Sequence, residues 1–372
     1  MEQTKRIQWI DALRGFTMIL VVFAHVYAFG FESVNKNTTD FFSQFMMPLF
    51  FFISGYIAYR TNERWDFSLY KTQMLKKMRI QIIPTLFFGL LFSILVLAPS
   101  FGVTRGESIS YFINSPSKYG YWFTIALLLM FIIYYTTSLL LSKCRLATRQ
   151  IVLAVVALLM FLATLACKSF LHSDIANHLC LTNTFKYFQF FVFGNIIACY
   201  QEQIFRFLQK PHVIGVIILL FLGLYIVNRF LKDSSLINTT PGKTTSIVIA
   251  QLVRYCGIIS LVCAFRHYES FFSSETRIDR GLQYIGKRTL DIYLLHYFLI
   301  PKLPSVGRRF AGTDNIVIEI TLTILVSLLV ILFCLIISNF LRTSPFLAST
   351  SLALNARTEK RNQWRGLLLT KN

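Results

Sequence analysis

Apolar runs separated by short polar breaks recur along the whole chain, near residues 10–31, 41–59, 80–98, 121–142, 150–167, 185–200, 212–231, 246–265, 285–300 and 315–341. Most approach or exceed the roughly 20 residues that a helix needs to cross the hydrocarbon core of a bilayer. No polar block between them is long enough for a separate domain. The pattern predicts an all-α, polytopic integral membrane bundle of about ten helices, forming one domain over residues 1–341, with a basic tail over 342–372.

Composition agrees: of 372 residues, 55% are hydrophobic and only 15% charged, and 37 are Phe. The net charge of +20 could suggest nucleic acid, but the cations sit in short loops rather than in one aromatic-studded basic stripe. They fall mainly in alternate loops, for example Lys71, Lys76, Lys77 and Arg79, then Lys143, Arg145 and Arg149, then Arg266, Arg277, Arg280, Lys287 and Arg288. The opposite loops carry fewer, such as Lys36, Arg105, Lys118 and Lys243. This bias puts both termini in the cytoplasm, and the inner membrane is the expected location. The bilayer is thus one partner and nucleic acid is not.

Seven cysteines give neither a disulfide framework nor a metal-type Cys-x-x-Cys pair, so no metal is expected. Cys167 and Cys180 could flank one outer loop and pair, although free cysteine is more often simply buried. The first apolar run contains Arg14 and His25 and lacks a small-residue cleavage site, so it is expected to stay as the first span. Sequons at Asn37 and Asn238 fall in predicted outer loops. The stretch 241–246, PGKTTS, ends like a phosphate loop, but Ile237 stands where the first glycine is required, so it is not one.

Chemistry concentrates in a few spans. Arg14 and His25 are eleven residues apart, about 20° beyond three helical turns, so they share a face of the first helix at depths differing by roughly 16 Å. Ionisable groups at such depth are costly against lipid and look into protein or a watery cavity. An imidazole can take a proton from a hydroxyl, and a guanidinium can hold an anion. The opposing reading is packing: an intramembrane His often hydrogen-bonds a neighbouring helix, and Asp11 can neutralise Arg14 at a three-residue spacing. In the second span, Pro48 leaves a backbone carbonyl unbonded and Gly55 allows close approach, within the stretch 46–56, MMPLFFFISGY. At the third, Lys76, Lys77 and Arg79 form a basic mouth suited to a polyanion or to ordinary inner-side anchoring. Trp122 opens the fourth, and the ninth embeds Asp291 and His296, with Arg288 spaced to pair with Asp291.

In this order, 12–25 (ALRGFTMILVVFAH), 47–56 (MPLFFFISGY), 76–88 (KKMRIQIIPTLFF), 121–129 (YWFTIALLL) and 290–299 (LDIYLLHYFL) resemble the acyltransferase 3 family over roughly residues 7–341, nearest to its fucose O-acetylase-like branch. The resemblance implies a ten-helix membrane protein that moves an acyl group, usually acetyl from acetyl-CoA, onto hydroxyls of bacterial surface glycans. It implies that Arg14 and His25 are the catalytic pair of the first helix. Lys76 and Arg79 match the family's Arg-x-x-Arg motif and Trp122 its fourth-span tryptophan, with Lys77 and Arg14 also on the side of the acyl-CoA. Ser54 and Tyr56 of the Ser-Gly-Tyr motif, Asp291 and His296 are further candidates. Two departures stand out: Met46 occupies the place of a histidine found in many relatives, and Lys76 lacks the planar fork of arginine.

On this reading acetyl-CoA docks from the cytoplasm on the basic groups, and His25 serves as general base on the acceptor hydroxyl or carries the acetyl group transiently. A transporter or flippase with Arg, His and Asp in its path is the rival, although the broken-helix repeats it predicts are missing from the pattern. Oligomeric state and the particular glycan have no signature in the sequence.

Overall fold

A computed structural model describes residues 7–32, 37–59, 65–114, 120–166, 176, 178–208, 210–234, 237, 239–269, 271, 276–313 and 315–343. They form helices α1 (Gln8–His25), α2 (Asn37–Ser43), α3 (Met46–Ala58), α4 (Phe67–Phe101), α5 (Arg105–Asn114), α6 (Trp122–Leu140) and α7 (Leu146–Ala166). There follow α8 (Leu181–Cys199), α9 (Gln201–Leu208), α10 (Pro211–Asp233), α11 (Thr240–His267), α12 (Arg277–Lys287), α13 (Thr289–Leu299), α14 (Pro304–Thr313) and α15 (Ile316–Thr343). No strand occurs among the described residues.

Eight of the segments are long and apolar enough to cross a membrane, counting α1 with the turn that follows it and α2 with α3 as one stretch each. The two further expected spans differ for physical reasons. The 19-residue α8 is long enough, but Thr182, Asn183, Thr184, Lys186 and Gln189 make its first half polar. The run 285–300 is no single span: the chain breaks at Arg288 between α12, which is polar on its outer face, and α13, whose 11 residues rise only roughly 16 Å. The second span is also interrupted, at Gln44 and Phe45, where Pro48 has no N–H for the Gln44 carbonyl. The third begins early, at Phe67, because Asp66 caps it by accepting from the Leu69 N–H at 2.7 Å.

The chain divides into two compact units, residues 1–61, 190–289 and 301–328, and residues 62–189, 290–300 and 329–372. In the first, α1 is the buried axis, with 67% of its span enclosed. It meets α12 backbone to backbone: a Cβ on Gly15 would lie 2.0 Å from the Leu282 carbonyl oxygen, and one on Gly286 would lie 1.8 Å from that of Asp11. The end of α8 meets α3 in the same way, through Gly55 and Gly194. Small residues at such crossings let helices gain close packing where lipid offers no hydrophobic drive between them. A hairpin of α10 and α11 packs Phe221 and Val253 with Leu20 and Phe45. Only 11% of the α10 span is buried, which suits a lipid-facing helix.

In the second unit α4 and α6 run side by side, tied by a hydroxyl pair between Thr85 and Thr124 at 2.9 Å. An aromatic cluster of Phe92, Phe112, Tyr121, Tyr293, Tyr297 and Phe298 fills the space between α4, α5, α6 and α13. Tyr121 donates to the Leu294 carbonyl and Tyr293 to the Gly120 carbonyl, so the buried hydroxyls are matched.

Several expectations concern residues outside those described: the tail beyond 343, Lys36, Asn238, Lys118 and Cys167, together with the Asn37 side chain. Cys180 is a buried free thiol. The 241–246 stretch is the first turn of α11, capped by Thr239, and forms no loop.

Candidate active site

The residues singled out by sequence divide between the units. Arg14, His25, Ser54 and Tyr56 belong to the first; Lys76, Lys77, Arg79, Trp122, Asp291 and His296 belong to the second.

Arg14 lies near the start of α1, whose neighbouring residues Leu13 and Gly15 are buried, while its own side chain stays 30% exposed. Its Nη2 donates to Thr289 Oγ1 at 3.0 Å, and Nη1 stands 3.8 Å from the carboxylate of buried Asp11. The Gly15–Gly286 crossing holds this arrangement, since it brings the end of α12 and Thr289 within reach of α1. The expected Asp11–Arg14 pair is therefore real but partial: it orients the guanidinium without covering it.

His25 closes α1. Immediately after it the helix widens into a π turn, Val26–Gly30, in which Phe31 N–H donates to the Val26 carbonyl at 3.0 Å. Such turns recur at functional positions because they re-aim side chains and loosen the backbone ladder. The imidazole is half-buried and stacked on Phe29 at 5.7 Å. The turn is anchored by Leu303, whose N–H donates to the Gly30 carbonyl at 2.7 Å.

Ser54 and Tyr56 are engaged within the unit. Ser54 donates to the Phe50 carbonyl of its own helix, and Tyr56 donates to Gln201 Oε1 at 2.8 Å. The Tyr56 ring meets Trp9 edge-on, and Trp9 in turn meets Phe205, with the Arg266 guanidinium over both Trp9 and Phe205. Gly55, between Ser54 and Tyr56, makes the α3–α8 crossing, where Asn195 also donates to its carbonyl. In this motif the packing glycine is the residue with the sharpest steric requirement.

In the second unit, Lys76 and Arg79 are exposed on α4, and Lys77 lays its ammonium 3.6 Å from the centre of the Phe131 ring. A π turn, Met78–Ile82, interrupts α4 directly after the two lysines. Trp122 begins α6 and stacks on Tyr187 at 5.8 Å. Phe131 lies nine steps along α6 from Trp122, roughly 14 Å along the axis, so Trp122 and the Lys77 ammonium occupy different levels of the same helix pair.

Asp291 and His296 are enclosed. Asp291 takes a hydrogen bond from Arg342 at 2.7 Å and another from Ser338, both on α15 and 47 or more residues away, a partnership that local spacing could not reveal. Arg288 meanwhile lies over the ring of Tyr284. His296 is fully buried, donates from Nδ1 to the Ile292 carbonyl at 2.9 Å and rests against Tyr297 at 4.2 Å. That setting suits a helix-packing histidine. One residue that the sequence reading passed over is Glu319, a single acid in the long apolar run of α15, and it is 3% exposed. An ionisable residue inside a span was itself the available signal. No three His, Cys, Asp or Glu side chains among the described residues are grouped to hold a metal ion.

Comparison with known proteins extends this picture. A family model described as an acyltransferase domain, acyltransferase 3, matches residues 7–339. No curated protein and no solved structure matches the chain. The match takes in every helix from α1 to α14 and most of α15, so the chain belongs to the acyltransferase 3 family and is a membrane acyltransferase.

Proposed function

We propose that the chain is an O-acetyltransferase that moves an acetyl group from cytoplasmic acetyl-CoA to a hydroxyl of a cell-surface glycan or its precursor. It sits in the inner membrane of a bacterial envelope with both termini in the cytoplasm, in the fucose O-acetylase-like branch of its family. The observation that carries the reading is that Arg14 and His25 remain partly exposed on an otherwise buried helix, with a π turn starting directly after His25. A histidine needed only for packing would be enclosed, as His296 is.

The roles follow from side-chain chemistry. Lys76, Lys77 and Arg79 supply cationic charge to the phosphates of the donor, and Trp122 offers an aromatic face on the same helix pair. The Arg14 guanidinium holds an anionic group of the donor, oriented by Asp11 and Thr289. His25 takes the proton of the acceptor hydroxyl as its oxygen attacks the thioester carbonyl. The carbon–sulfur bond breaks, and the proton passes to the departing thiolate. Neutral imidazole is the working form, and no net proton is consumed.

Transfer of radiolabelled acetyl from acetyl-CoA to the envelope glycan fraction, in membranes holding equal amounts of native, His25→Ala and Arg14→Ala protein, tests this. Loss of transfer by about a hundredfold or more in His25→Ala supports the base role. Native-level transfer in that variant removes it, and label that accumulates inside vesicles without becoming glycan-bound would favour a transporter.

A further inference from the structure

The last helix is highly apolar, yet its first turn holds a buried acid. Glu319 Oε1 has no hydrogen-bond partner among the described residues. The helix start does not use it: Asn315 Oδ1 accepts from the N–H groups of Val317 and Ile318 at 3.2 and 3.3 Å, leaving Glu319 turned inward. One and two turns on, Thr323 and Ser327 are fully buried on the same face, each donating at 2.6 Å to the carbonyl four residues back. Their neighbours Val317, Ile318, Ile324 and Leu325 are exposed, as lipid-facing residues would be. A single face of α15 is thus polar at i, i+4 and i+8.

A buried acceptor without a donor is destabilising, and an ionisable group inside a span is costly beyond that. Asp291, on α13, shows how this chain treats a structural acid: it gives it an arginine and a serine. Glu319 is left needing a donor from elsewhere. Glu319 belongs to the unit that holds His25. Helix α14, which leads into α15, is fastened to the π turn behind His25 by the Leu303–Gly30 hydrogen bond and by Gly307, where a Cβ would come within 1.9 Å of the Phe31 carbonyl oxygen. Glu319 therefore opens the helix that follows the one clamped to the His25 end of α1, within the same compact unit.

We infer that Glu319 is an acceptor-binding residue, whose carboxyl oxygen accepts hydrogen bonds from the hydroxyls of a polyhydroxylated sugar while Thr323 and Ser327 continue the polar face beneath it. The inference rests on the proposed function, in which the acceptor is a glycan. Glu319 makes and breaks no bond; it positions hydroxyls on the side of the unit where His25 ends its helix.

Two readouts test it with the full-length protein: binding of radiolabelled acetyl-CoA to the purified chain, and acetyl transfer to the envelope glycan fraction over a range of glycan concentrations. In Glu319→Gln and Glu319→Leu, transfer at limiting glycan is expected to fall at least about tenfold and to recover as glycan is raised, with acetyl-CoA binding unchanged. Glu319→Asp should fall between. Native transfer kinetics in both Gln and Leu variants overturn the assignment and make Glu319 a packing residue, as does parallel loss of acetyl-CoA binding and transfer. A native protein that binds acetyl-CoA but labels no glycan overturns the glycan reading itself, and this assignment with it.

Discussion

Helices α1 and α13 carry nearly the same signal, a histidine in an apolar run with an acid and an arginine close by, and the protein treats them oppositely. On α13 the charge is sealed: Asp291 is matched by Arg342 and Ser338, and His296 is fully buried with its Nδ1 proton on a backbone carbonyl. On α1 the helix body is buried while Arg14 and His25 are left partly open, one beside a glycine crossing and the other at a π turn. Polar groups that serve the fold are enclosed with their partners. The two groups proposed to serve chemistry keep an approach.

The strongest way to break this contrast is to unseal α13. Arg342→Ala leaves a buried carboxylate without its cation and should cost about 3–5 kcal/mol, seen as a collapse of folded protein in detergent by thermal unfolding, whereas Asp291→Asn with Arg342→Met together should recover much of the loss. Next comes the crossing that places Arg14. Gly286→Val drives its side chain into the Asp11 carbonyl and should cost up to about 3 kcal/mol, with acetyl transfer lost alongside stability.

The two histidines sharpen the comparison directly. His296→Ala should lower stability by about 2 kcal/mol while transfer per folded molecule survives; His25→Ala should do the reverse. If His296→Ala abolishes transfer at full stability, the enclosed site is the chemical one. Thr289→Val, removing the acceptor for Arg14 Nη2, should cost about 1 kcal/mol and raise the KM for acetyl-CoA more than it lowers kcat, with Thr289→Ser restoring both. Smallest is a cap far from the chemistry. Thr104 and Glu107 satisfy each other's N–H groups at the start of α5, so Thr104→Ala should lower the unfolding temperature only slightly, with transfer unchanged. The Thr104 N–H and hydroxyl hold the Glu107 carboxyl below its ordinary range, so the cap is retained at neutral pH and lost as pH falls through that lowered value.

Much of this was legible in the residues. Hydropathy alone located the apolar segments, and the eleven-residue spacing put Arg14 and His25 on one helix face, because helical periodicity is local. Gly55 could be read as a packing residue since small residues in spans mark close approach. Gly286 in α12 gave no such hint, because α12 is polar outside and only its contact with α1 makes the glycine necessary. Glu319 was visible as an acid in an apolar run and was passed over because no neighbouring chemistry drew attention to it.

By itself, then, the sequence determined the all-helical membrane class, the order of spans and the residue types available for acyl transfer, since each depends on side-chain polarity counted along a single helix. Only the tertiary structure decided which polar groups are shut in and which are left open. Arg342 reaches Asp291 across 51 positions, and Thr289 reaches Arg14 across 275. Such partnerships arise from helix crossings that local spacing does not encode, and in a medium without water they determine whether a buried charge is structural or available.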